Sequence, residues 1–298
     1  MAITINGSGI TSANIADGTI VDADLANNVI TEDKIAAATV SNLKSGRRNR
    51  IINGDMKIDQ RNAGASVTPV NGTYSVDRWV ALTNVTSKFS MQQNAGAVTP
   101  PEGFSNYLGV TSLSAYAVAS GEYGLLAQKI EGYNTADLNW GTAAAKTVTI
   151  SFWVRSSLTG TFGSSLRNNA ANRSYPFTYT ISSADTWEYK TVLITGDTTG
   201  TWVTDSGVGI NLYFGLGAGS TFSGTAGAWA AANYLSATGA TSVVGTSGAT
   251  FYITGVQLEA GSTATDFEHR SYGTELALCQ RYYQEVTWTL RTYSVNGY

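Results

Sequence analysis

From residue 10 to residue 40 every fifth position is apolar: Ile10, Ile15, Ile20, Leu25, Ile30, Ile35 and Val40. An α-helix repeats near 3.6 residues and a strand at 2, so neither element alone gathers these side chains on one face. The intervening positions are mostly small or polar, as in Ala13-Asn14-Ile15-Ala16-Asp17 and Ala23-Asp24-Leu25-Ala26-Asn27. A fixed period marks a repeat architecture. Two packings use this one. A pentapeptide β-helix would need about three stacked coils to bury a continuous core, and seven quintets make fewer than two. Three chains wound round one axis would instead share a core, and this trimeric stalk is the preferred reading. An arm that orders only against a partner is the alternative. The nearby Asp17, Asp22, Asp24, Glu32 and Asp33 lack the spacing and central glycine of a calcium loop and read as solvating groups.

After Arg50 the period changes to two. Val148, Ile150, Phe152 and Val154 alternate with polar neighbours and Trp153, and Tyr175, Phe177, Tyr179 and Ile181 repeat the pattern. Further strand-length runs cover 187–194, 210–216 and 251–258, rich in β-branched and aromatic residues. Strands at this spacing, without helical patterns between them, predict an all-β fold: a two-sheet jelly-roll sandwich. Residues 215–248 read as long surface loops. One short C-terminal helix is expected from Glu275 to about Gln284, capped by Thr274, with Leu276, Cys279 and Tyr283 on one side. A short strand is expected at 287–295. The domains are therefore a stalk at 1–48, a sandwich at 49–272 and a helix-plus-strand tail at 273–298.

Charged residues are 13% of the chain, against about 25% in an ordinary soluble protein, so Ser, Thr, Asn and Gly must finish the surface. A net charge of −3 gives no case for nucleic acid or an anionic membrane. The one basic cluster, Arg47, Arg48 and Arg50, reads as a solvated linker. A single cysteine, Cys279, excludes an internal disulfide framework. No apolar run reaches the roughly 20 residues that span a bilayer, and no membrane insertion is expected.

The segment from Asn49 to Arg61, Asn-Arg-Ile-Ile-Asn-Gly-Asp-Met-Lys-Ile-Asp-Gln-Arg, followed by Tyr74-Ser75-Val76-Asp77-Arg78-Trp79, resembles the opening of a domain common in bacteriophage tail-fibre and receptor-binding proteins. Phe251 to Gly261, Ala264 to Arg270 and Glu275 to Tyr283 are similar to its closing segments, and the stalk is similar to those that precede such domains. The resemblance spans roughly Asn49 to Tyr283. It implies a homotrimeric virion component, held to other virion proteins through its stalk and binding a host-surface glycan. Met1 to Asn6 has neither the basic region nor the apolar core of a secretory signal, so assembly into a particle released by lysis is the expected route outside cells. A second likeness is to carbohydrate-binding jelly rolls. Their opening glutamate and a closing aspartate hold a structural calcium, where this chain has Lys57 and Thr254-Gly255. No metal and no cofactor are expected.

Catalytic constellations are poorly supported. The lone histidine, His269, lies between Glu268 and Arg270 and reads as a surface or hydrogen-bonded residue. With one His and one Cys the chain cannot assemble the usual zinc ligands. Cys279 lies on the apolar side of the expected helix and reads as a small buried hydrophobe. No Gly-x-Ser-x-Gly elbow is present. The glycines at 207–209 and 215–219 lack a helix N-terminus that would receive phosphate. Glu188, Asp185, Asp197 and Asp205 are the carboxylates from which a glycosidase pair would come. Aromatic rings in polar loops are the better lead, because a sugar's apolar face stacks on them. Trp202, Trp229 and Tyr234, with Asp205 and Asn233, are the candidate ligand-binding residues; Trp79 and Trp153 are assigned to the core. The expected function is a trimeric tail fibre recognising glycan, not an enzyme. A trimeric capsid decoration protein is the alternative, and a polysaccharide depolymerase the third reading.

Overall fold

The computed structural model describes residues 48–285. The stalk register from Ile10 to Val40 and the strand expected at 287–295 lie outside the described residues.

Ten long strands form the body: β1 (Trp79–Thr83), β2 (Phe89–Gln93), β3 (Leu108–Ser112), β4 (Tyr123–Glu131), β5 (Val148–Ser156), β6 (Gly160–Arg167), β7 (Ser174–Ile181), β8 (Glu188–Ile194), β9 (Val208–Ala218) and β12 (Thr250–Ala260). Two short strands, β10 (Ser223–Gly224) and β11 (Ser236–Ala237), pair in parallel between β9 and β12. One five-stranded sheet has the order β1-β4-β9-β6-β7 and the other β2-β3-β12-β5-β8. Every neighbouring pair in both is antiparallel. The pairs β6–β7, β5–β8, β4–β9 and β3–β12 nest one outside the next. A long hairpin rolled up so that its rungs alternate between two sheets is a jelly roll.

Alternation decides what lies between the sheets. Val148, Ile150, Phe152 and Val154 of β5, Phe162 and Leu166 of β6, and Ile210, Leu212, Phe214 and Leu216 of β9 join Trp79, Phe89, Phe177 and Phe251 in one buried cluster. Each such side chain contributes roughly 1.5–3 kcal/mol of burial. The strand β9 runs through Gly215 to Ala218, so the expected 215–248 loop begins later than the glycines suggest. Those glycines are packed, not mobile spacers: a Cβ at Gly215 would lie 2.7 Å from the carbonyl oxygen of Gly163 and 2.8 Å from Ser236 Oγ. The segment 222–237 thus lies over the outer face of the first sheet, where Leu235 and Phe222 cover Val80, Leu125, Ala127 and Tyr213.

The segments that carried the family resemblance form a polar clasp. Asn49 Nδ2 donates to the Val256 carbonyl at 3.1 Å, and its Oδ1 accepts from the amides of Ile51 and Leu258. The Arg270 guanidinium donates to the carbonyls of Asn49 and Ile51 and pairs with Glu268 and Glu275. Asn53 bridges Ile58 and Asp77, while its carbonyl accepts from Trp79 Nε1 at 2.9 Å. Lys57 donates to the Arg270 carbonyl at 3.0 Å and pairs with Asp55 at 2.7 Å. The basic cluster is absorbed in the same way. Arg50 is held by Asp137 and the Asn134 carbonyl, and Arg48 by the Asp266 carbonyl. These two arginines are fixed parts of the fold, not a solvated linker.

The helix α1 (Tyr272–Gln280) starts earlier than expected and is capped by Ser271, whose side chain accepts from the Thr274 amide. Cys279 packs with Ile52 and Ile58. Arg281 and Tyr282 then reach Glu131 at the end of β4.

Candidate functional site

The sequence-derived site residues do not share one place. Trp202 and Trp229 meet Trp140 in an edge-to-face trio with centroids 4.8–5.4 Å apart. Both are half-buried and pack against the main core. Their indole N–H groups donate to loop carbonyls, Trp229 to that of Thr195 at 2.7 Å and Trp202 to that of Thr199 at 3.2 Å. Beneath them Arg173 forms a two-pronged pair with buried Asp197. This arrangement ties the two half-buried rings to the main core and to each other. Asp205 caps a separate turn, accepting from the Gly207 amide at 2.7 Å. Asn233 accepts from Arg167 at 2.5 Å, and the Tyr234 carbonyl accepts from Ser165.

The carboxylates named as a possible glycosidase pair are engaged separately. Glu188 accepts from Lys190 and from the amides of Ser182 and Ser183. Asp185 pairs with Arg155 at 3.1 Å, Asp197 with Arg173, and Asp205 with its own turn. Among the described residues no group of three or more His, Cys, Asp or Glu side chains is placed to hold a metal ion.

A different aromatic group lines a cleft of about 460 Å³ on the outer face of the second sheet. Trp153 of β5 and Tyr189 of β8 form one wall, their centroids 5.4 Å apart at 49°. The register places them directly opposite each other across the two strands. Phe104, Phe267 and His269 form the other wall, with mutual centroid distances of 4.9–5.3 Å. Gly255 separates the walls. It sits at a bulge in β12, where the register to β5 shifts between Thr254 and Gln257, and its φ is +61°. A Cβ there would fall 2.7 Å from Phe104 and 3.2 Å from Trp153, so only glycine leaves the floor of the cleft open.

Of the polar groups that line this cleft the Thr265 hydroxyl is engaged, donating to Glu259, but several others are uncommitted. Of the six described tryptophans, Trp79, Trp140, Trp187, Trp202 and Trp229 each donate the indole N–H to a protein oxygen. Trp153 alone has no such partner among the described residues. Tyr189 is 44% exposed. Its hydroxyl, the Asp266 carboxylate and the His269 imidazole likewise make no hydrogen bond among the described residues. Flat apolar rings flanked by free donors and acceptors suit a ligand with an apolar face and a hydroxylated rim. A second cleft, about 470 Å³, is lined by Ala115, Ala117, Ala218 and Ala240 with Tyr116. The Tyr116 hydroxyl is already taken by Glu122.

Trp153 had been assigned to the core. Its own strand carried the correcting signal, because Phe152 and Val154 face inward and a residue between them must face out. Tyr189 follows by the same parity on β8, whose alternate residues Tyr189, Thr191 and Leu193 are exposed.

No family model and no curated protein matches the sequence. Solved structures give distant matches. One is the enzymatically active domain of bacteriophage CBA120 tailspike protein 4, at 12% identity and a TM-score of 0.37 over 72% of this chain and 21% of that one. Another is a putative sugar binding protein from Bacteroides thetaiotaomicron, at 10% identity and a TM-score of 0.41 over 72% of this chain and all (100%) of that one. A third is a family 11 carbohydrate-binding module from Clostridium thermocellum in complex with a mixed-linked tetrasaccharide, at 14% identity and a TM-score of 0.32, over 68% and 97%. The chain thus spans about a fifth of the tailspike domain's length. Likenesses this distant carry no functional argument, and the jelly-roll assignment rests on the nested strand pairs.

Proposed function

We propose that this chain is a homotrimeric virion appendage, a bacteriophage tail fibre, whose sandwich recognises a host-surface glycan in the cleft between Trp153 and His269. One observation carries the binding reading: Trp153 presents a half-exposed ring and an unused N–H in a cleft that it shares with Phe104, Tyr189, Phe267 and His269. A ring held by a strand and a facing Tyr189 is preorganised, so little side-chain entropy is lost on binding. The trimer rests on the five-residue register from Ile10 to Val40, which is too short to close a core in one copy. The separately engaged carboxylates favour binding over hydrolysis.

The test is a glycan array probed with the full chain, with Trp153→Ala, and with Trp229→Ala as the contrasting tryptophan. Trp153→Ala is expected to weaken the strongest glycan signal by roughly thirtyfold, as for a central anchor residue, with an unchanged thermal midpoint. Full binding by Trp153→Ala would exclude this cleft. The assembly arm is sedimentation equilibrium, with an expected mass three times the 31.4 kDa of one chain. A monomer would exclude the shared stalk.

A further inference from the structure

The cleft between Trp153 and His269 carries one charge that no neighbour offsets. Asp266 borders the cleft and is exposed. Its main-chain carbonyl is occupied by Arg48 at 2.7 Å and Gln257 at 3.3 Å. The acceptor it has left is the carboxylate, which has no partner among the described residues. The cations nearby are matched elsewhere. Arg48 lies 3.9 Å from Glu259, Arg270 pairs with Glu268 and Glu275, and Arg155, two residues along β5 from Trp153, pairs with Asp185. The lining itself holds no lysine and no arginine.

Hydrogen-bonding polarity narrows the ligand further. The free groups of the cleft are reachable from solvent: Trp153 is half-exposed with an unpaired Nε1 that is not buried, Tyr189 is 44% exposed, and His269 is exposed. The Trp153 N–H only donates and the Asp266 carboxylate only accepts, whereas the Tyr189 hydroxyl and a neutral imidazole do both. A set that contains a pure donor and a pure acceptor is completed by groups that donate and accept, as sugar hydroxyls do. A uronate carboxylate or a sulfate ester only accepts, so it leaves Asp266 unmatched and adds like-charge repulsion. An ammonium only donates, and its ion pair with an exposed carboxylate contributes little.

Resting on the glycan reading of this cleft, we infer that it takes an uncharged saccharide unit and turns away uronates and sulfated sugars, with Asp266 as the residue that sets this selectivity. The apolar face of the sugar ring lies on Trp153, where the missing side chain of Gly255 leaves room. Hydroxyls on its rim reach Asp266 as charge-assisted hydrogen bonds. Repelling the wrong ligand sets specificity without any further contact to the right one.

The experiment is a glycan array in which each neutral oligosaccharide stands beside counterparts carrying a uronate, a sulfate or a free amine. It is probed with the full chain, with Asp266→Asn and with Trp153→Ala. The neutral member of the best-bound set is expected to bind about tenfold more tightly than its uronate and sulfate counterparts. Asp266→Asn keeps the size of an exposed side chain and one acceptor oxygen, so it is expected to keep its thermal midpoint and to lose the discrimination. The wild-type discrimination is also expected to shrink as salt is raised, which a purely steric rejection would not do. An anionic counterpart bound as tightly as the neutral one overturns the inference, as does discrimination that survives in Asp266→Asn. A free-amine counterpart bound about tenfold more tightly than the neutral one makes the carboxylate a cation site and overturns the uncharged assignment. In each of these cases, binding that vanishes in Trp153→Ala leaves the cleft standing as the glycan site. Binding that persists in Trp153→Ala, or no binding to any glycan, removes the cleft reading and this selectivity with it.

Discussion

Arg173 and Asp197 meet in a bidentate pair, Nε to Oδ2 at 2.8 Å and Nη2 to Oδ1 at 2.5 Å, with Asp197 1% exposed. Asp197 also accepts from Thr199 and from Trp202 Nε1. The pair therefore fixes the loop that carries Trp202 beneath the tryptophan trio. Neutralising Asp197 leaves the part-buried Arg173 guanidinium without its carboxylate and weakens the acceptor that holds Thr199 and Trp202. Asp197→Asn is expected to lower unfolding free energy by about 3 kcal/mol, read from urea denaturation followed by tryptophan fluorescence.

The two kinds of tryptophan should separate cleanly. Trp229→Ala deletes a half-buried ring packed on Trp140, Trp202 and Tyr175. A loss of about 2 kcal/mol is expected, with glycan affinity retained. Trp153→Ala should show the opposite pattern. Parallel thermal melts and array binding check both.

Gly255→Ala tests the floor of the cleft. The added methyl meets Phe104 and Trp153, and the residue must keep a φ of +61°. A cost of about 1–2 kcal/mol is expected, together with loss of glycan binding. Retained binding in this variant would mean that the ligand does not reach the bulge.

Glu131 links stability to pH. Hydrogen bonds from Arg281, and secondarily from Tyr282, hold its carboxyl below the usual carboxylate range against the opposing effect of burial. A depressed folded-state pKa contributes stability above the unfolded value, and that contribution is lost as pH falls through the folded one. Asp77 is moved the other way, upward, by burial, so the whole-protein curve mixes signs. The informative quantity is the difference between wild type and Glu131→Gln. It should be largest at neutral pH and shrink as the pH is lowered through the carboxylate range, as followed by thermal midpoints.

Cys279 is 1% exposed, and burial pushes its thiol upward. The thiolate is the reactive form, so an aromatic disulfide reagent is expected to leave the native protein unmodified at pH 8. One equivalent per chain should react after denaturation. Rapid labelling of native protein would contradict the packing of α1 on Ile52 and Ile58.

Alternation exposed β5, β7, β9 and β12 to sequence reading, because one face of each is plainly apolar, whereas β8, with Glu188 and Lys190 on its inner parity, was marked only by its aromatic and β-branched residues. The strand β6 was hidden for a local reason. Gly163, Ser164 and Ser165 are small, and the Gly163 Cα lies directly under Ser236 and Ala237. A side chain there would displace the overlying segment, so the strand had to forgo the β-branched residues that announce strands. In β4, Leu125-Leu126-Ala127 is apolar on both faces because Leu235 covers the outer one, and the period of two disappears. The site was partly legible for a related reason. Loop tryptophans look available in a sequence, but Trp202 and Trp229 find each other in space. The outward Trp153 was masked by the apolar residues on either side of it.

The clasp at Asn49 has a mechanical meaning. Arg50 N donates to the Leu258 carbonyl at 2.9 Å and Val256 N to the Gly54 carbonyl, so the opening segment lies alongside β12, the middle strand of its sheet. Tension transmitted through residue 48 would load that central strand in shear, across several bonds at once, and would not peel an edge rung by rung. A fastening of that kind lets a domain stay folded while its tether is pulled.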